Sequence, residues 1–490
     1  MTSSSPARRT VERPPLTTWS AGQEATTRAA VAAMLNRHPV VGLAVGIVRD
    51  GQLAFFHGHG VADTTSGAPV TPDTIFRIGS LTKTVTAIAV LQLAEEGLVE
   101  LDAPAGRYLR AYRLVPAKPW HRPPTVRQLL THTAGLPQLA HPLRALQPIL
   151  GETVPHGQPV PPLADFYRGR LRLVAEPGSG HTYSNHGFAT LGQIVTDLTG
   201  RPLGDHLRER IFEPLGMADT GLARTPGVRR RLATGYALRS RGPQPVADTD
   251  IITTGAGSLY SSTRDMGRYV AALLAGGTGE HGPILRPETL ASMFAPQYRP
   301  DPRVPGCGLG FFRGDAGGHA VVHHDGLVPG FSSQLAVAPT DDLGIVAFTN
   351  GARGAHLWLG TEVSGLLRTL IGAPAAEIRG DVPHHAETWP DLCGRYTFRG
   401  SPRDVQKWFV AGARVAVRHG RLALRPATPV PALLRWFPLF PDDEDDPGVF
   451  RIDLSAVDGG TTRVVFGRAP GGRVTGLHLE FGTLSFDKRS

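Results

Sequence analysis

Alternating and helical hydrophobic spacings divide this chain into recognisable stretches. Ala29 to Leu35 carries a helical spacing, and Val40 to Val48 and Leu53 to His57 then read as two strands turned around Asp50-Gly51. That dipeptide suits a tight hairpin because both residue types tolerate positive φ. From Ser80 to about Ala295 the pattern is mainly helical. Val85, Ile88, Ala89, Val90, Leu91 and Leu93 form a stripe that covers nearly the whole helix surface, and a helix of that kind is buried. Strands return between His319 and Thr349, including Gln334 to Ala338 and Gly344 to Thr349, and a helix over Leu357 to Ile371 closes the domain. The order predicts an α+β fold: an antiparallel sheet built from both ends of the domain, flanked by helices, with an all-helical insertion between.

After Pro374 the style changes. Arg414-Val415-Ala416-Val417 and Arg421-Leu422-Ala423-Leu424 alternate around His419-Gly420, and strand-like runs follow at Phe450 to Leu454, Arg463 to Phe466 and Val474 to Phe481. Short strands so spaced predict a small all-β, barrel-like domain. The expected organisation is a disordered tail over residues 1–20, a first domain over 21–375 and a second over 386–490. The Pro-rich stretch from Pro142 to Pro162 is long for a loop inside a compact domain, which suggests a lid over a site.

Composition narrows the function classes. A chain of 490 residues with 41% hydrophobic content can bury large cores. The net charge of +9 comes from scattered arginines without aromatic interleaving or a nucleic-acid motif, so it reads as a solvated surface with no nucleic-acid partner. Two cysteines, Cys307 and Cys393, exclude a disulfide framework and leave one bridge open. The first 19 residues lack the apolar core of a signal peptide, and no run of about 18 apolar residues is present. A cytoplasmic location without membrane attachment is the default expectation. Asp442 to Asp446 reads as a solvated turn and His384-His385 with Glu387 as a linker surface, so neither a metal nor any cofactor is expected.

The chemistry begins at Ser80-Leu81-Thr82-Lys83. Only four lysines occur, Lys83, Lys118, Lys407 and Lys488, among 51 basic residues. Residues i and i+3 share a helical face, so the amine reaches the hydroxyl. Lysine, unlike arginine, sheds its proton when desolvated. Ser80 is therefore a candidate nucleophile with Lys83 as its base. Taken alone, the pair equally describes a capping serine and a first-turn surface lysine.

Two further motifs follow in order. Tyr183-Ser184-Asn185 comes after the loop Glu176-Pro177-Gly178-Ser179-Gly180 and opens a helical pattern, and His323-His324-Asp325-Gly326 precedes Pro329-Gly330-Phe331-Ser332-Ser333. With these three motifs, Thr125 to Leu136 and Gly255-Ala256-Gly257-Ser258, the chain resembles the serine β-lactamase and penicillin-binding-protein superfamily, most closely its class C-like branch, over roughly residues 25–370. The resemblance implies a β-lactamase/transpeptidase-like fold, and it implies that Cys393-Gly394-Arg395-Tyr396 opens an appended lipocalin-like barrel.

The same resemblance implies roles. Ser80 would attack an acyl carbonyl, activated by Lys83 or by Tyr183; Asn185 would hold the substrate amide and Lys83; and the backbone N–H groups of Ser80 and Leu327 would form an oxyanion hole. Gly326 would let the strand approach the substrate. His324 stands where relatives carry a lysine, so a substrate carboxylate loses its cation, and Asp325 reads either as a group that meets a substrate amine or as a hydrogen-bonded loop carboxylate. The expected activity is a serine hydrolase of the esterase, D-amino-acid peptidase or weak β-lactamase type, acting on a small ester, amide or peptide. The alternatives are an acyltransferase or peptide cyclase using the same acyl-enzyme, and a penicillin-binding sensor without turnover. His132 reads as a structural hydrogen-bonder, and the oligomeric state is left open.

Overall fold

A computed structural model describes residues 19–141, 151–400, 405–457, 459–480 and 483–489. The tail expected over residues 1–20 lies outside the described residues as far as residue 18, as does the part of the expected lid over residues 142–150. Ser20 already belongs to helix α1 (Ala21–Arg37): its hydroxyl accepts from the Gln23 amide while the Gln23 side chain accepts from the Ser20 amide. This reciprocal cap starts the helix two turns before its apolar stripe begins. The stripe alone predicted Ala29 to Leu35 because the early turns are largely exposed.

Six strands form the central sheet: β1 (Gly42–Arg49), β2 (Gln52–Gly60), β3 (Phe312–Asp315), β4 (Ala320–Val328), β5 (Phe331–Ala338) and β6 (Leu343–Thr349). Their order is β3-β4-β5-β6-β1-β2, and every pair is antiparallel. The two ends of the domain meet where Leu43 pairs with Thr349 and Arg49 with Leu343. Because side chains alternate across a sheet, Val45, Ala336 and Ile345 join a core under α1 and α5 (Ala355–Leu370) that contains Trp358. Ala44, Leu335 and Val346 join the larger core shared with helices α2 (Thr82–Glu95), α3 (Asn185–Thr199) and α4 (Thr263–Leu274). Short β3 covers β4 only from Ala320 to His323. The rest of β4, from His324 onward, is paired with β5 alone among the described residues.

Eight further strands make a closed barrel: β7 (Gly394–Phe398), β8 (Gly412–Arg418), β9 (Arg421–Ala427), β10 (Phe437–Pro441), β11 (Val449–Asp453), β12 (Thr461–Arg468), β13 (Val474–Leu479) and β14 (Ser485–Lys488). Each pairs with the next, and Tyr396↔Lys488 to Phe398↔Phe486 close the ring. Tyr396, Val415, Leu424, Phe450, Phe466 and Phe486 fill it. The barrel seats against the first domain through Arg303, whose guanidinium meets Asp301 at 2.8 Å, Asp446 at 2.8 Å and the Phe466 carbonyl at 2.8 Å. The acidic run is thus more than a solvated turn: Asp446 holds Arg303, and half-buried Asp442 pairs with Arg451 and Arg463. Cys307 and Cys393 are both free thiols. No helix among the described residues is long and apolar enough to cross a membrane.

Candidate active site

A short strand, Ile75–Arg77, pairs with Tyr260–Ser262 and delivers the chain to Ser80. Gly79 turns with φ +53°, a single 3-10 turn spans Gly79–Leu81, and α2 follows. Thr82 to Leu93 are all buried, so the helix is anchored on every side. The turn is clamped against β4. A Cβ at Gly79 would lie 2.9 Å from the Leu327 amide nitrogen, and one at Gly326 would lie 2.2 Å from both the Ile78 carbonyl oxygen and the Ser333 hydroxyl. Ser333 in turn donates to the Ile78 carbonyl at 2.8 Å. Gly326 is therefore required by the approach of the serine's own turn, whereas the sequence suggested the approach of a substrate. This close packing brings the Leu327 amide beside the turn that carries Ser80.

Lys83 is fully buried and its Nζ donates to Ser80 Oγ at 2.9 Å, Asn185 Oδ1 at 2.9 Å and the Ala256 carbonyl at 2.8 Å. Burial lowers its pKa from 10.5 to about 7, opposed by the negative charges of Glu152 and Asp325. Near neutral pH the amine thus becomes available as a base. Asn185 and the Ala256 carbonyl oxygen can only accept at these contacts, so they take the two hydrogens of a neutral amine. The lone pair then faces Ser80.

Tyr183 completes this wall: its ring lies 4.8 Å from Lys83 Nζ, its hydroxyl is hydrogen-bonded to Ser80, and burial pushes its pKa up. It stays a neutral phenol. The ring rests on His132, with centroids 4.4 Å apart, and parallels Phe312 at 6.2 Å. His132 itself accepts from the Ser184 amide through Nδ1 at 3.2 Å, which orients the Tyr183–Asn185 segment as a structural hydrogen-bonder does.

His324 is buried 6.3 Å from Tyr183, centroid to centroid. Its Nδ1 lies 2.6 Å from the Asp325 carbonyl oxygen, which accepts only, so Nδ1 carries the proton. Burial first, and then the charge of Lys83, lower its pKa to about 3. The ring is neutral, and Nε2 presents a lone pair. The Asp325 carboxylate is exposed and stands on the opposite face of β4.

Ser80, Lys83, Tyr183, Asn185, His324, Gly326 and Leu327 thus converge, while Asp325 lies at the rim. Sequence reading missed Glu152, which is 2% exposed and accepts from Asn185 Nδ2 at 3.1 Å and from the Thr253 hydroxyl at 3.1 Å. Its only sequence signal is a carboxylate inside the loop already singled out as a lid. A cavity of about 940 Å³ opens beside Tyr183 on the face of β4 that carries His323 and Asp325 and runs past Gln334 to the barrel residues Arg451, Glu480 and Thr483; Ser80, Lys83, Asn185 and His324 do not line it.

The family description Beta-lactamase matches residues 27–359. The chain belongs to the β-lactamase family. This family membership makes it a relative of serine hydrolases. Esterase EstB from Burkholderia gladioli is 30% identical, over 56% of this chain and 76% of the esterase. D-amino acid amidase from Ochrobactrum anthropi shares 26% identity at a TM-score of 0.55, covering 68% of this β-lactamase-family chain and 92% of the amidase. The octameric penicillin-binding protein homologue from Pyrococcus abyssi matches at a TM-score of 0.59 and 24% identity, over 95% of this chain and 99% of that one. Its fold likeness therefore extends through the barrel. The chain spans 57–62% of the length of the first curated relatives it matches.

Proposed function

We propose that this chain is a hydrolase that forms an acyl-Ser80 intermediate on small esters or amides and releases it to water. The observation that carries the reading is the Lys83 amine, whose two hydrogens are taken by Asn185 and Ala256 and whose lone pair faces Ser80 Oγ. Lys83 accepts the serine proton as Oγ bonds to the acyl carbon, and the carbonyl electron pair moves onto oxygen. The amides of Ser80 and Leu327 receive that oxyanion, an arrangement in which each donor is worth on the order of 10² in rate. As the carbon–oxygen or carbon–nitrogen bond breaks, the neutral Tyr183 phenol donates its proton to the departing alcohol or amine and takes the serine proton back from Lys83, which restores both groups. Water then attacks the ester, with the same groups reversing their roles.

His324 sets the substrate class. A neutral ring with a lone pair on Nε2 repels a carboxylate and accepts from an N–H or O–H, so substrates bearing an amide, hydroxyl or amine at that position are favoured over penicillin-like acids. The test is intact-mass spectrometry with p-nitrophenyl esters, D-amino-acid amides and nitrocefin on the native protein and on Ser80→Ala. Turnover that is lost in the variant supports the proposal, and adduct formation at another residue overturns it. Product growth on adding an amine assigns transfer, and a persistent adduct assigns sensing.

A further inference from the structure

The amide of Asn185 can serve Lys83 in only one orientation. With Oδ1 toward the amine it takes a hydrogen and leaves the lone pair for Ser80; turned over, it would present N–H to that lone pair and occupy it. Nothing in asparagine itself selects between the two. Glu152 does. A carboxylate accepts and does not donate, so Nδ2 must face Glu152 Oε2, 3.1 Å away, and Oδ1 must face Lys83, 2.9 Å away.

The carboxylate is itself fixed. Thr253 donates to Oε2 at 3.1 Å, and His186 Nε2 lies 3.3 Å from Oε1. The Ala140 amide donates to Nε2 at 3.1 Å, so Nε2 carries the lone pair and Nδ1 the proton, which faces the Tyr167 hydroxyl at 2.9 Å; the imidazole therefore packs against Glu152 without donating to it. Glu152, His186 and Tyr167 are all buried. Thr253, Glu152 and Asn185, from three separate segments, are therefore joined at one carboxylate oxygen. Resting on the acyl-Ser80 reading, we infer that Glu152 is a positioning residue that locks the Asn185 amide and, by its charge, sets the pH at which Lys83 can accept the serine proton.

The charge acts among several others. Around Lys83 stand the carboxylate of Glu152, the imidazoles of His132 and His324 and the phenol of Tyr183, and the charge of Asp325 reaches it from the far face of β4. The charge of Glu152 favours the ammonium form more strongly than that of Asp325. Removing its charge makes the amine neutral at lower pH.

The test follows the rate at which an aryl fluorophosphonate labels Ser80, read by intact mass across pH. Glu152→Gln keeps an acceptor for Asn185 and a donor toward His186 while removing the charge. Its acid limb is expected about one pH unit below that of the native protein. Glu152→Leu removes the acceptor, and its plateau rate is expected to fall at least about tenfold, one buried hydrogen bond's worth. An unmoved limb in Glu152→Gln overturns the inference. So does a folded Glu152→Leu that reacts at the native plateau rate; if that variant fails to fold, the glutamine limb decides. Native protein that does not label at Ser80 overturns the acyl-enzyme reading itself, and this inference falls with it.

Discussion

Replacing Lys83 by methionine separates what the lysine does for chemistry from what it costs the fold. The side chain is wholly buried, and its pKa falls from 10.5 to about 7 because burial disfavours the charged form. An unfolded chain therefore binds one more proton than the folded one between about pH 7 and pH 10.5. Stability must rise with pH across that window, and the penalty is full below it. At 1.36 kcal/mol per unit, raising the pH from about 7 to about 9.5 should add about 3 kcal/mol from this group alone. Methionine has nearly the same length and no proton to exchange. Its cost is independent of pH: Asn185 Oδ1 and the Ala256 carbonyl each lose a donor, about 1 kcal/mol apiece. Urea unfolding of both proteins at several pH values gives the difference directly, with titrations common to both cancelling. The native-minus-variant difference is expected to be constant below about pH 6 and to grow by about 3 kcal/mol in favour of the native protein between about pH 7 and about pH 9.5, while Lys83→Met has no esterase activity anywhere. Parallel curves would refute the claim that the amine is desolvated in the folded state.

Three other substitutions probe neighbouring parts. Gly326→Ala drives a methyl into the Ile78 carbonyl at 2.2 Å, so β4 must withdraw the Leu327 amide; kcat for ester hydrolysis should fall by about 10², and an unchanged kcat in steady-state assays would remove Leu327 from the oxyanion hole. His324→Lys restores a cation and should raise the labelling of Ser80 by carboxylate-bearing lactams relative to neutral esters, measured as a ratio of second-order rates; an unchanged ratio counts against the histidine as the discriminating group. Arg303→Leu strips Asp301 and Asp446 of their shared partner and should cost about 1–2 kcal/mol at the barrel junction, since the guanidinium and Asp446 are part-exposed. Calorimetry should then show the barrel melting ahead of the first domain, and a single unshifted transition would contradict that.

The parts legible in the sequence are those whose partners are near in the chain or whose pattern is periodic. Ser80 and Lys83 lie one helical turn apart, and α2 announces its burial through its unbroken apolar run. The barrel shows itself where β8 and β9 alternate, yet β10 escapes because Phe437–Pro441 carries two prolines, residues that ordinarily mark loops and tolerate only restricted places in a sheet. Glu152 escapes for a different reason. It meets Asn185 from 33 residues away through a loop without periodicity, and only tertiary packing buries it. Gly326 was noticed, but its reason was misassigned, because its neighbour at Ile78 lies 248 positions earlier and no local rule connects them.

The pairing of Leu43 with Thr349 has a bearing on synthesis. When the first hairpin leaves the ribosome, the strand that will flank it is some 300 residues short of being made, and one edge of β1 stays open for the whole interval. At about 5–20 residues per second that wait lasts about 15–60 seconds. Ser80 and Lys83 are in hand early, but β4 and its Leu327 amide are not. A nascent chain halted before β4 would carry its nucleophile with no hole to receive the oxyanion, so reactivity is withheld until the sheet can close.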